Sequence, residues 1–351
     1  MRILVIPRAA WLFCALWCVL SGGGMTSPLR AEPAPVWLTS PQRQTAQPIE
    51  VLGLRESVAP ATFAQATPLP DASCQPCALS APPPSGLLDN FSVFLGLDGA
   101  KQPQDFGVNA QFGGRASFNW GMPLWAPWGL GVQVGTALDA TADAVQVTEP
   151  LIGSAGRTQS FTTVGVFQRT RFGANWGVVY DFLAQEYYAT SFLGQWRINV
   201  SLDVTPRSTF GAWSALNGFG DRANFGATEV ILSPITQTNV YWRYQWPTSV
   251  FTTLWAGMAN QHGQVNAVLG DRPRLRDTFV FGAELLVPLT DRLAIFGQGN
   301  FITPVASGTV DAYLGFVFYP RGGVRRAYSS TYAPLQTVAA PTNFAVDLRR
   351  P

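Results

Sequence analysis

Residues 192–204, FLGQWRINVSLDV, alternate apolar and polar side chains almost without a break. Phe192, Gly194, Trp196, Ile198, Val200, Leu202 and Val204 fall on one side of an extended chain; Leu193, Gln195, Arg197, Asn199, Ser201 and Asp203 fall on the other. A period of two makes a β-strand with two chemically different faces. The fold then depends on what covers the apolar face, a protein core or lipid. Charged residues are 13% of the 351-residue chain, against roughly 25% in a soluble domain. A water-soluble surface needs more charge than that. The formal net charge of +2 gives no basis for nucleic-acid binding. Lys101 is the lone lysine, so nearly every cation is an arginine suited to fixed, paired contacts.

Arg2 and Arg8 flank the start of an apolar stretch, Ala9 to Leu20, that is too short to span a bilayer and is broken by Ser21-Gly22-Gly23-Gly24. Residues 1–31 therefore read as an export signal, with cleavage expected after Ala31. Residues 32–88 are rich in Pro, Ala, Ser, Thr and Gln and read as a disordered leader. Cys74 and Cys77, in SCQPCA, are candidates for a local disulfide or two idle thiols. Residue 78 is Ala, so a haem c attachment lacks its histidine, and a zinc site would lack a second ligand pair. The residues call for no cofactor and no metal.

Between Asn90 and Tyr319 the alternation recurs in about twelve runs, near 91–101, 106–123, 129–142, 157–169, 172–186, 189–205, 208–217, 236–246, 249–260, 277–289, 292–303 and 310–319. Runs near ten residues suit a tilted bilayer crossing. Turns at 169–171, 206–208, 247–249 and 290–291 are short, whereas connections at 143–156, 218–235 and 261–276 are long. Short turns alternating with long loops are the pattern of an outer-membrane barrel. Trp120, Trp125, Trp128, Tyr187, Tyr188, Trp246, Phe318 and Tyr319 sit at run ends, where an interfacial aromatic girdle would lie. The fold expected over 89–320 is all-β, an antiparallel transmembrane β-barrel of about twelve strands, followed by a C-terminal tail over 321–351. An even strand count puts both ends of the barrel on one side of the membrane.

The pieces GVVYDFLAQEYY (177–188), LGQWR (193–197), TNVYWRYQW (238–246) and VPLTDRLA (287–294) resemble a planctomycete family of exported, barrel-like proteins of unknown function. The resemblance covers roughly 90–320. It implies an outer-membrane-type barrel and brings no activity and no functional residues with it. Many such barrels end on an aromatic in the last strand, whereas here some thirty residues follow Tyr319.

In a barrel, Trp196, Ile198, Trp242 and Phe281 share the lipid-facing parity, and Arg115, Asp181, Arg197, Asp203, Arg243 and Glu284 share the lumen-facing one. Arg facing lipid would cost roughly 2–4 kcal/mol at the midplane, so these charges belong inside, paired across strands. Asp181 and Arg243 are the neighbours considered for Arg197 and Asp203. Gly113, Gly131, Gly135, Gly177 and Gly282 on the inward parity leave space, which favours a wet lumen. The expected function is a narrow channel for small solutes with an Arg- and acid-lined lumen. The alternatives are a closed structural or surface-interaction barrel of the cell envelope, and a soluble secreted β-domain in the periplasm or outside. The expected partners are outer-membrane lipid, the barrel-assembly machinery and small solutes. No enzyme is expected: His262, in NQHGQ, lies in a loop without a nucleophile beside it, and reads as solvated. The glycines of GLGVQVG (129–135) lie within a strand pattern rather than a nucleotide-binding turn, and DRPRLRD (271–277) reads as a solvated loop.

Overall fold

The computed structural model describes residues 86, 88–106, 109–144, 156–170, 172–225, 228–266, 270–271, 278–303 and 309–351. Residues 1–31, expected as an export signal, nearly all of 32–88, expected as a leader, Cys74, Cys77 and residues 272–277 lie outside the described residues.

Each alternating run becomes a strand: β1 (Phe91–Lys101), β2 (Gln111–Trp125), β3 (Leu130–Asp143), β4 (Gly156–Arg169), β5 (Ala174–Glu186), β6 (Thr190–Thr205) and β7 (Ser208–Phe219). A hairpin of β8 (Asp221–Phe225) and β9 (Thr228–Pro234) follows. The wall then resumes with β10 (Gln237–Gln245), β11 (Phe251–Ala259), β12 (Thr278–Pro288), β13 (Leu293–Ile302) and β14 (Val310–Phe318), and a last short strand, β15 (Val346–Arg349), ends the chain. Twelve of these, β1–β7 and β10–β14, form a closed barrel in which every neighbouring pair is antiparallel. Closure is made by β1 on β14, in register from Val93 opposite Phe318 to Lys101 opposite Val310. Every wall strand is thus paired on both sides, which removes the open edge that a sheet would otherwise expose.

The connections sort by length as expected. The turns at 126–129, 170–173, 206–207, 246–250 and 289–292 gather at one end, beside the start of β1 and the end of β14. The ends of β1, β3, β5, β11 and β13 lie at the other, where the chain between β5 and β6 is only the short stretch 187–189. The long connection expected over 218–235 is not a loop. It is the β8–β9 hairpin, which folds over the loop end, where Asp221 Oδ2 accepts the Phe192 N–H at 2.9 Å.

The two faces separate cleanly. Outward positions of β6, β12 and β14 carry no charged residue, and Leu95, Val240, Leu314 and Phe316 are all more than half exposed. Inward positions are buried and largely polar. Trp125, Trp128, Trp246 and Phe318 are exposed at the turn end, the first two stacked with centroids 5.4 Å apart. Tyr188 and Tyr319 instead pack on the interior apolar clusters, and Tyr187 is buried against Tyr188, because the chain supplies protein there to cover them.

That protein is the tail. After Tyr319 the chain turns back into the barrel, and Val338, Ala339, Ala340, Phe344, Ala345 and Val346 are buried. Phe344 meets Phe161 edge-on at 5.7 Å, within a cluster that also holds Leu183, Leu193, Leu232 and Leu348. Burying such side chains is worth roughly 1.5–3 kcal/mol each. β15 then pairs with β9, Val346 opposite Pro234, at the loop end. The inward glycines do leave space, but it is filled: a Cβ on Gly177 would sit 2.9 Å from Leu335 Cδ2, and one on Gly135 would strike Val338.

At Gly121 the atoms nearest an added Cβ all belong to the tail, at Tyr332 O and Pro334. Gly121→Val should therefore unseat the tail and leave the wall in place. Limited proteolysis read by mass spectrometry should show new cuts within 329–345 and an intact 90–319 fragment. Unchanged protection of the tail would refute this account of the glycine.

Candidate functional site

The site is the occupied lumen. The inward parity of five adjacent strands, β2 to β6, presents Arg115 and Asn119, then Gln133 and Asp139, Thr163, Asp181, and finally Gln195 and Arg197. Asp181, fully buried, accepts Arg197 Nε at 2.5 Å and Nη2 at 2.9 Å, Thr163 Oγ1 at 2.7 Å and Gln195 Nε2 at 3.0 Å. Arg115 pairs with Asp139 at 2.6 Å. A carboxylate with this many donors is compensated despite its burial.

The same side chains reach the tail's backbone. Arg197 Nη2 donates to Thr337 O at 2.8 Å, and Arg115 Nη2 to Ala339 O at 2.7 Å. Gln195 Nε2 donates to Asn343 O at 3.0 Å, while Thr163 Oγ1 accepts the Ala339 N–H at 2.9 Å. Gln133 Oε1 accepts the N–H groups of Leu335 and Gln336, and its Nε2 donates to Gln336 O at 3.1 Å. Nearer the loop end, Gln102 donates to Pro341 O and accepts the Val346 N–H.

Of the inward charges read from sequence, the structure brings together Arg197 with Asp181 and, at 3.7 Å, Arg243 with Glu284. Tyr328 of the tail joins the second pair, its hydroxyl donating to Glu284 Oε1 at 2.8 Å and its ring lying 4.0 Å from the Arg243 guanidinium. Arg115 finds Asp139, which the sequence reading passed over. Asp203 pairs with neither arginine. It sits exposed near the turn end, where its carboxylate accepts Thr209 Oγ1 and Asn175 Nδ2, because β6 shifts register between Asp203 and Thr205 as the barrel ends. Trp196, Ile198, Trp242 and Phe281 all point outward and are exposed.

Where an open, wet interior was expected around Arg197, the structure places the tail, and the pair's side chains are 4% and 0% exposed beneath it. Water-sized space survives beside it. A cavity of about 1660 Å³ lies between the tail and the wall, lined by Arg115 and Arg197 as well as by Asn199, Trp213, Tyr241, Trp255 and Glu284. Sequence reasoning also missed Asp98 and Asp311, each 1% exposed. At the loop end, outside the strands, Asp105 is buried against Arg157 at 3.0 Å, and burial pushes its carboxyl up to about 6 while Arg157 pulls the other way. Burial, with Asp105 nearby, also raises the phenols of Tyr187 and Tyr188. His262 is not solvated. It is fully buried, with Nδ1 2.9 Å from Asn260 O and 3.5 Å from the Thr278 hydroxyl.

Removing one partner of a buried pair leaves an uncompensated charge, at roughly 3–5 kcal/mol. Arg197→Ala should lose about that much stability, read as a lower denaturant midpoint, because Asp181 also loses its main donor. Arg197→Met with Asp181→Leu should recover most of it. A single mutant as stable as the parent would show that the pair is wet.

None of the curated proteins compared with the chain matches it. Among solved structures, it is similar to outer membrane phospholipase A from Escherichia coli, at 8% identity and TM-score 0.36, over 65% of this chain and 95% of that one. It is similar also to the Ralstonia pickettii toluene transporter TbuX, at 10% identity and TM-score 0.36, over 66% and 90% of the two chains. The transport unit of the Escherichia coli autotransporter AIDA-I has 12% identity and TM-score 0.35, over 65% and 89%. The pattern of the Family of unknown function (DUF6666) spans residues 90–346, barrel and returning tail together, and the chain belongs to that family.

Proposed function

We propose that the protein is an integral outer-membrane barrel, exported by its N-terminal signal, whose lumen is held closed by its own C-terminal segment. It is then a structural or surface-interaction barrel of the envelope, not an open pore. The observation that carries the reading is the tail, buried from Val338 to Leu348 and hydrogen-bonded by its backbone to side chains of four wall strands, β2, β3, β4 and β6. Lipid as the outer partner is supported by the uncharged outward faces. An apolar belt running round the wall is far larger than the few hundred Å² that soluble monomers expose. The exposed Trp125, Trp128 and Trp246 suit the headgroup level at the turn end.

The second reading is a narrow channel for small solutes. The cavity of about 1660 Å³ beside the tail favours it, with Arg243 and Glu284 as the charges a solute would meet. The two readings part in planar bilayers. The purified full chain should give no steady conductance, and a stable ohmic current would decide for the channel.

The lipid facing is tested by a neighbouring pair. Ile198 points out and is 37% exposed, whereas Asn199 points in, beside the cavity. Ile198→Arg should cost roughly 2–4 kcal/mol and abolish the heat-modifiable band on a detergent gel. Asn199→Arg should retain it. Equal tolerance at both positions would sink the membrane reading.

A further inference from the structure

β14 ends at the turn end, where Phe318 lies opposite Val93 at the start of β1. Yet Val346–Arg349 pair with Ile231–Pro234 on the β8–β9 hairpin, at the opposite end of the barrel. The chain between them makes the journey inside the wall. No route outside the wall would cover its backbone, because in lipid every N–H and C=O must find a protein partner.

The lumen meets that requirement in an uncommon way. The crossing segment has no strand beside it, so wall side chains stand in for a neighbouring strand. Asn119, Gln133, Arg115, Thr163, Arg197, Gln195 and Gln102 between them hold backbone groups of residues 335, 336, 337, 339, 341, 343 and 346. These contacts address the peptide backbone, and fewer address its side chains, among them those of Gln336 on Gly177 O and Thr342 on Gln298. Opposite them, Gly121 and Gly177 leave room for the tail at Tyr332–Leu335, and Gly135 leaves room at Val338. What the interior is built to hold is a polypeptide backbone.

The segment itself fits the passage. Arg321, Arg325 and Arg326 precede it and Arg349 and Arg350 follow it, while residues 327–346 carry no charge. A charge within that stretch would be buried without a partner, at several kcal/mol. On the far side the segment is latched. β15 adds a strand to β9, the Asp347 carboxylate accepts the Gly263 N–H at 2.8 Å, and Arg350 pairs with Asp271 at 2.5 Å.

We propose that the barrel is the passage for its own C-terminal segment, carrying it through the lumen and delivering Val346 onward to the loop-side face. This rests on the membrane reading above. The wall strands precede the tail in sequence, so the cargo is the part of the chain that follows the closing strand. On this account β15 is the far-side catch, and the amide- and arginine-lined strip of β2–β6 is the track.

The test is a set of single cysteines in full-length protein whose four native cysteines are alanine. Ala144→Cys probes the loop end, Thr248→Cys the turn end and Pro351→Cys the delivered segment, all three being exposed positions. Intact cells are treated with a membrane-impermeant maleimide and compared with permeabilised ones. The expected result is that Pro351→Cys labels together with Ala144→Cys, and that Thr248→Cys labels only after permeabilisation. Pro351→Cys behaving like Thr248→Cys would overturn the passage, whichever end faces outward. Ala144→Cys and Thr248→Cys labelling alike in intact cells would instead overturn the membrane reading, and the passage would fall with it.

Discussion

The interior is organised around the Asp181 carboxylate. It accepts Arg197, Thr163 and Gln195, and each of those three also holds a backbone group of the tail, at Thr337, Ala339 and Asn343. One buried charge therefore fixes the rotamers of the side chains that fix the tail. The arrangement is mutual. The tail shuts water away from Asp181, and in doing so makes the ion pair with Arg197 strong and its disruption costly. A carboxylate in this position without its donors would be intolerable. With them, it specifies one position for the chain that crosses above it.

Closure makes this possible. Pairing β1 with β14 satisfies the wall's backbone within itself, so inward side chains are free to serve other groups. Twelve strands enclose more room than their own inward side chains fill, especially where the inward residue is glycine. That surplus accommodates the tail against β2–β6 and leaves a cavity beside it, lined by Arg115 and Arg197 as well as by Trp213, Tyr241 and Trp255. The buried ion pairs and backbone hydrogen bonds thus border the roomier part of the lumen directly.

The loop end is sealed by a different physical means. There the β8–β9 hairpin, β15 and the inward aromatics Phe106, Phe161 and Phe344 build an apolar cluster of the kind found in a soluble core. The outside of the barrel presents hydrocarbon to its surroundings while the loop end buries hydrocarbon within protein. The same chain obeys both rules because the period of two lets each strand carry two unlike faces.

The strand pattern, the short and long connections and the facing of Trp196, Ile198, Trp242 and Phe281 are local properties of sequence, since period two and turn length depend only on near neighbours. So is the inward parity of Arg115, Asp181, Arg197, Arg243 and Glu284. The pairings are not local. Whether Arg197 meets Asp181 depends on the register of β5 against β6, with Asp181 opposite Gln195, and register follows from the closed sheet as a whole. Nor could Gly135 and Gly177 be read as space for protein and not for water, because their neighbours, Val338 and Leu335, lie in the distant tail. One signal of the tail's place was available: an uncharged stretch from 327 to 346 is poorly suited to a solvated appendage. Only the tertiary structure turns that stretch into the filling of the barrel, because burial is decided by which distant surfaces the closed wall brings around it.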